Sequence, residues 1–353
     1  MLTSQLETPA LIVDLEAFER NLQRMRSFVE SRGLRLRPHY KSHKSTAIAH
    51  MQVRAGAKGL CCAKVSEAQD LALAGIEDVL IANEVVSPAK IALAASLANC
   101  CRLTVCVDSA QNVEDLSAAA VVQNATIHCL VEYDLGMHRC GLSTHEEVVQ
   151  LAKRVDAAPN LVYEGIQAYA GHIAHERDFE SRKRASAEIE SDLQQLRARL
   201  VESGLSPKEV SGVSTGTAYF RPEQSTYTEL QAGSYIFMDA SYGALGLDFE
   251  QSLFLLTSVI SLNEEYAVCD AGAKSLGMDQ DPPYFREYPD LPGRFNEEHS
   301  SLPRANTDLT VGDRLHLVPG HCCTTVNLHD FIFLAKEGKV VDRVPVTSRG
   351  KSF

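Results

Sequence analysis

Arg37-Pro38-His39-Tyr40-Lys41-Ser42-His43-Lys44 stands between an amphipathic helix and a long alternation of strands and helices. Side chains of a strand alternate faces, so His39, Lys41 and His43 are expected on one inward face. Lysine is rarely buried without a partner. Cationic neighbours and lost hydration lower its proton affinity, which makes the amine a usable nucleophile and base. The octapeptide thus reads as a Schiff-base lysine on the first strand of a barrel. A basic, solvated strand end is the plainer reading of these eight residues alone.

Upstream, residues 8–15 (TPALIVDL) predict a strand and 16–32 a helix, with Phe18, Leu22, Met25 and Phe28 on one face and Gly33 as its stop. Downstream, short apolar runs at 59–63, 79–82, 103–107, 127–131 and 163–169 alternate with helical segments, the longest at 176–203. Wholly apolar strands separated by helices indicate a parallel sheet covered on its faces. About eight such units before residue 245 predict an α/β fold with a closed (β/α)8 TIM-type barrel. From residue 246 the helical period is lost and short strands are expected at 253–262, 267–269, 315–318, 326–327, 331–334 and 340–346, with a loop at 279–304. The expected division is a barrel over 16–245 and a β-rich domain made from 1–15 and 246–353.

The net charge of −12 argues against a general nucleic-acid binder or a protein of anionic membrane surfaces. No apolar run approaches the roughly 18–20 residues of a membrane span. The first residues resemble no signal or transit peptide, so a cytoplasmic location is the expectation. The ten cysteines include three vicinal pairs, which suit buried reduced thiols better than disulfides.

In a barrel of this kind, chemistry sits at the C-terminal ends of the strands. Residues 131–141 (VEYDLGMHRCG) place Arg139 there, and 167–175 (QAYAGHIAH) place Tyr169, His172 and His175. Two late loops, 211–217 (SGVSTGT) and 231–235 (QAGSY), are small and rich in hydroxyls and glycine, as phosphate-binding backbone requires. A candidate Schiff-base lysine together with two such loops implies pyridoxal phosphate. In 318–325 (VPGHCCTT), His321 and Cys323 are two apart and would face one side of an extended segment. Imidazole and thiolate favour zinc over magnesium or calcium, and two ligands suit an open site. An ordinary cysteine pair beside a turn histidine is the alternative, and His299 and Asp330 are candidate further ligands.

With these motifs in view, the chain resembles the fold-type III pyridoxal-phosphate enzymes of the D-threonine aldolase and D-serine dehydratase group, whose barrel is like that of alanine racemase. The resemblance runs from Thr8 to Gly350 through RPHYKSHK, GLCCAKVSEA, IANEVV, VEYDLGMHRCG, GIQAYAGHIAH, TELQAGSYIFMD, DAGAKS and PGHCCTTVNLHD. It implies that Lys41 is the Schiff-base lysine, Arg139 the arginine near the cofactor's phenolic oxygen, Tyr169 an active-site tyrosine and His175 a base toward the substrate β-hydroxyl. It places Thr215, Gly216, Gly233, Ser234 and Tyr235 in the segments that hold the phosphate, and makes His321 and Cys323 the metal pair, for zinc or else manganese or magnesium. The implied substrate is a D-amino acid with a β-hydroxyl, and the implied assembly a homodimer. The His-x-Cys pattern matches the dehydratases, so loss of water to a 2-oxo acid and ammonia is expected. His175 matches the aldolases, which makes cleavage to glycine and an aldehyde the alternative. A racemase would not need the metal pair, and a non-catalytic pyridoxal-phosphate carrier would not need the second domain.

Overall fold

Eight short segments of the chain become the eight parallel strands of one sheet. The structure, a computed structural model, describes residues 1–305 and 307–353. After β1 (Ala10–Asp14) come β2 (Arg35–Leu36), β3 (Leu60–Cys62), β4 (Asp78–Glu84), β5 (Arg102–Val107), β6 (Ile127–Glu132), β7 (Leu161–Ala168), β8 (Glu209–Gly212) and β9 (Glu229–Leu230). Strands β2–β9 pair in the order β2-β9-β8-β7-β6-β5-β4-β3. The ring closes where the chain beyond β2 meets β3: Lys58 N–H donates to Leu36 O at 2.8 Å, Cys61 N–H to Pro38 O at 3.0 Å, and His39 bridges Cys61. This is the expected α/β barrel.

Inside the ring, Cys61, Leu80, Cys106 and Leu130 pack as one buried layer. Below them, at the strands' N-terminal ends, the wholly buried Arg37 donates to Glu229 Oε1 at 2.8 Å and to Asp78 Oδ1. Lys58 contacts Glu209 and lies 3.5 Å from Glu229, and Ser211 donates to Glu229 at 2.6 Å. These charges are tolerable because each is paired and hydrogen-bonded; an unpaired ion there would cost several kcal/mol, on the order of 3–5. The first residue of the opening octapeptide therefore plugs the floor of the barrel.

The second unit is an antiparallel sheet into which β1 inserts. Its strands are β10 (Leu253–Leu262), β11 (Tyr266–Cys269), β12 (Tyr284–Phe285), β13 (Arg294–Phe295), β14 (Ser300–Pro303), β15 (Arg314–Val318), β16 (Phe331–Lys336) and β17 (Lys339–Pro345). β1 pairs antiparallel with β10 and parallel with β16. Leu6, Ala10, Ile12, Phe254, Leu256 and Val318 form its core. The segment 279–304, expected as loop, contains β12, β13 and β14, whose short lengths leave too little alternation to read. Residues 326–327, expected as strand, instead close the helix Cys322–Val326.

The compact units are drawn differently from the expected division. One unit is Met1–Arg24, Ser42–Ile48 and Ser234–Gly350; the other is Met25–Lys41, Ala49–Gly233 and Lys351–Phe353. Ser234–Gly243 groups with the β unit by its contacts: Ala240 N–H donates to Pro319 O at 2.9 Å and Cys322 N–H to Asp239 Oδ2 at 2.9 Å.

Candidate active site

Lys41 does not lie on a strand. Pairing with β3 stops at His39, and Tyr40–Ser42 forms one 3-10 turn, with Lys41 N–H donating to His39 Nδ1 at 3.3 Å. The expected common face is broken by that turn. Lys41 is exposed, whereas His43 is wholly buried and its Nδ1 meets the Ser45 backbone. His43 is a structural residue.

Within the barrel unit, Lys41 comes together with two of the expected partners. Its Nζ is 6.0 Å from the Tyr169 ring centre, and the Arg139 guanidinium carbon is 5.4 Å from the same ring. Cations favour the faces of aromatic rings at such separations. Gly171 makes room for this arrangement: a Cβ there would meet Tyr169 Cε1 at 2.7 Å and the Met137 side chain at 3.0 Å. Arg139 Nη2 also lies 3.5 Å from Glu132 Oε1. His175 follows on the turn after the 3-10 segment Gly171–Ile173 and is partly buried; His172 is exposed.

Thr215 and Gly216 open the 3-10 segment Thr215–Phe220 beyond β8, in a continuously buried stretch that begins at Glu209. Val213, just before it, has φ +70°, an unfavourable conformation for a β-branched residue. Among the described residues, four of the seven non-glycine residues with positive φ lie close in sequence to candidate site residues: Lys44, His138, Val213 and Met238. Backbone strain of this kind concentrates at functional sites. Gly233 is buried beyond β9; Ser234 and Tyr235 follow on the 3-10 turn Ser234–Ile236, the Tyr235 ring 5.8 Å from Phe249.

In the β unit, His321 caps the helix Cys322–Val326 and Cys323 sits in its first turn. The pair meets through a helix cap and not through strand alternation. His321 is hydrogen-bonded to Cys323, and Cys323 Sγ lies 3.7 Å from Ser42 Oγ and 3.9 Å from Ser234 Oγ. Asp279 was not legible as a participant: its Oδ2 is 2.7 Å from His321 Nδ1 and its Oδ1 accepts from Thr324 at 2.6 Å. A carboxylate on Nδ1 fixes the ring and leaves Nε2 for a metal. Burial lowers the His321 pKa, but the Cys323 sulfur and the Asp279 carboxylate outweigh it and raise the pKa to about 9. His299 is exposed, Asp330 pairs with Arg349 at 2.6 Å, and among the described residues no three His, Cys, Asp or Glu side chains gather as a metal cluster. Neither extra ligand is therefore supported, and an imidazole–thiolate pair with open positions is the arrangement these residues fit.

Residues 13–241 match the family described as "Alanine racemase, N-terminal domain", and residues 252–335 match the "Putative serine dehydratase domain". The chain is 42% identical to the 3-hydroxy-D-aspartate aldolase of Paracoccus denitrificans (strain Pd 1222), over 99% of this chain and 94% of that one. It is 30% identical to the D-threo-3-hydroxyaspartate dehydratase of Delftia sp. (strain HT23), over 95% and 96%; a mutant of that dehydratase has been solved in a metal-free form. The crystal structure of D-threonine aldolase from Filomicrobium marinum superposes with a TM-score of 0.94 at 40% identity, covering 99% of this chain and 98% of that one.

Proposed function

The chain belongs to the alanine racemase N-terminal domain family, and from that premise we propose that it is a lyase of D-amino acids bearing a β-hydroxyl, dependent on pyridoxal phosphate and a divalent metal. Bound pyridoxal phosphate would supply an electron sink at Cα, and the metal would supply Lewis acidity at the hydroxyl. Lys41 Nζ is the amine for the cofactor's aldehyde, with Arg139 and Tyr169 beside it. Thr215, Gly216 and Gly233, with Ser234 and Tyr235 next in the chain, are the proposed phosphate holders. Their small side chains and backbone N–H groups suit an anion. His321 Nε2 and Cys323 Sγ would hold the metal, with zinc the ion best matched to nitrogen and sulfur.

Between the two reactions we favour cleavage of Cα–Cβ to glycine and an aldehyde. The observation that carries this reading is likeness along the whole chain: 42% identity to an aldolase against 30% to a dehydratase. In cleavage, His175 would take the hydroxyl proton as the bond breaks. Elimination is the second reading, favoured by Cys323 in the metal pair. There Lys41 would take the α-proton and the β-hydroxide would leave, giving a 2-oxo acid and ammonia. Cleavage outranks it because one ligand can change while the framework that aims the proton acceptors persists.

The test is product analysis of metal-replete holoprotein given D-threo-3-hydroxyaspartate, D-threonine and D-serine in turn. Glycine with an aldehyde supports cleavage, and ammonia with a 2-oxo acid moves the assignment to elimination. If neither pair forms, the lyase reading fails.

A further inference from the structure

Two carboxyls at the mouth of the barrel have no part in the reaction just proposed. Leu80 and Leu130 face the barrel interior. Beyond a register irregularity after Ile81, Glu84 at the end of β4 pairs opposite the inward Cys106 of β5, and alternation carries the inner face of β6 from Leu130 to Glu132. Glu132 is 4% exposed, and the two side chains stand within hydrogen-bonding range of each other. Each has one buried oxygen, Glu84 Oε1 and Glu132 Oε2, with no donor among the described residues. A proton on either side chain would close a bond between them.

The other groups facing the pair are few. Arg139 approaches Glu132 from the loop after β6, the Cys140 thiol is hydrogen-bonded to Glu84, and Cys106 lies on β5 between the two strands. Burial and the charge of Glu84 push Glu132 up to about 8, against the pull of Arg139. The half-buried Glu84 beside the buried Glu132 makes double ionisation costly, so one proton stays with the pair. One negative charge then faces the guanidinium, whose other side rests on Tyr169.

We propose that Glu132, sharing one proton with Glu84, is a positioning residue that anchors Arg139 over Tyr169 and offsets its charge toward the cofactor. The inference rests on the pyridoxal-phosphate reading. It assigns a role to IANEVV and VEYDLG beyond strand formation.

The test uses wild-type, E84Q and E132Q holoproteins, with two readouts. The first is the infrared carbonyl stretch of a protonated carboxyl at neutral pH, expected in wild type and lost in E84Q. The second is the pH midpoint of the visible absorption of the lysine-bound cofactor. In E84Q an amide donor replaces the shared proton, Glu132 keeps its charge, and the midpoint stays where wild type has it. In E132Q the remaining charge sits on Glu84 and no longer against the guanidinium, which then repels the bound proton more strongly, and the midpoint falls by about one unit, tenfold in proton affinity. An unchanged midpoint in E132Q, or an infrared signal that survives in E84Q, overturns the proposal. If wild-type protein keeps the infrared signal but shows no visible absorption with added pyridoxal phosphate, the cofactor reading fails and the carboxyl pair stands.

Discussion

Lys41 is an exposed residue on a short turn, so in the proposed reaction its replacement should remove chemistry and little packing. Lys41→Ala is expected to abolish visible absorption and activity while changing stability by about 0.5 kcal/mol or less, read by spectrum, assay and denaturant titration. Asp279→Asn removes the carboxylate that fixes His321, and metal titration should show about 10–100-fold weaker binding. Cys323→Ala should lose the metal and keep the cofactor's absorption; undiminished metal content would contradict the ligand assignment. The raised pKa of His321 has a signed consequence for the metal-free protein. Protonated His321 stabilises the fold fully below its ordinary pKa near 6.5, and that contribution is lost as pH rises through about 9. The proton competes with the metal for the same ring, so metal affinity should climb over this window, which titrations at several pH values would reveal.

The elements hold the site through features that can be broken singly. Gly171→Ala would drive a methyl group against Tyr169 and Met137. Its expected effect is a cofactor affinity at least tenfold weaker, about 1.4 kcal/mol, with cooperative unfolding retained. Barrel helices are legible because their stops are: Gly33, Gly56 and Gly75 all carry positive φ at helix ends. The turn at Tyr40–Ser42 is not legible, because its few residues fit an alternating strand equally well. The cap at His321 hides for the same reason, and Asp279 hides because it reaches His321 from 42 residues away.

At the scale of the molecule, the barrel is readable from periodicity because each strand is buried on both faces and flanked by helices. The β unit is readable in strands of several residues, as at Leu253–Leu262 and Arg314–Val318, and not where pairing involves two residues, as at Tyr284–Phe285. The charged floor is invisible in sequence, since Arg37, Asp78, Glu209 and Glu229 meet only after the ring closes. Burial raises the Glu229 pKa, but Arg37 and Lys58 overcome it and hold the folded value below normal. Its stabilisation is therefore present above the ordinary carboxylate pKa and lost as pH falls below it. Glu229→Gln should cost about 3–5 kcal/mol at neutral pH and flatten the acid limb of a Tm-against-pH curve.

The place of β1 between β10 and β16 sets an order of events during synthesis. Ala10–Asp14 leaves the ribosome before the rest of its sheet, and its parallel partner Phe331–Lys336 is made more than three hundred residues later. At about 5–20 residues per second, the wait is on the order of 15–60 s. Both edges of this apolar strand stay open until Leu253–Leu262 emerges, and one stays open until β16 is made, so it must avoid other chains. The barrel strands, by contrast, are complete once Leu230 has emerged. Nascent chains stalled between Leu230 and Leu253 should therefore carry all the barrel strands and an unpaired, aggregation-prone N-terminal strand, which makes that interval the period of greatest need for a holding chaperone.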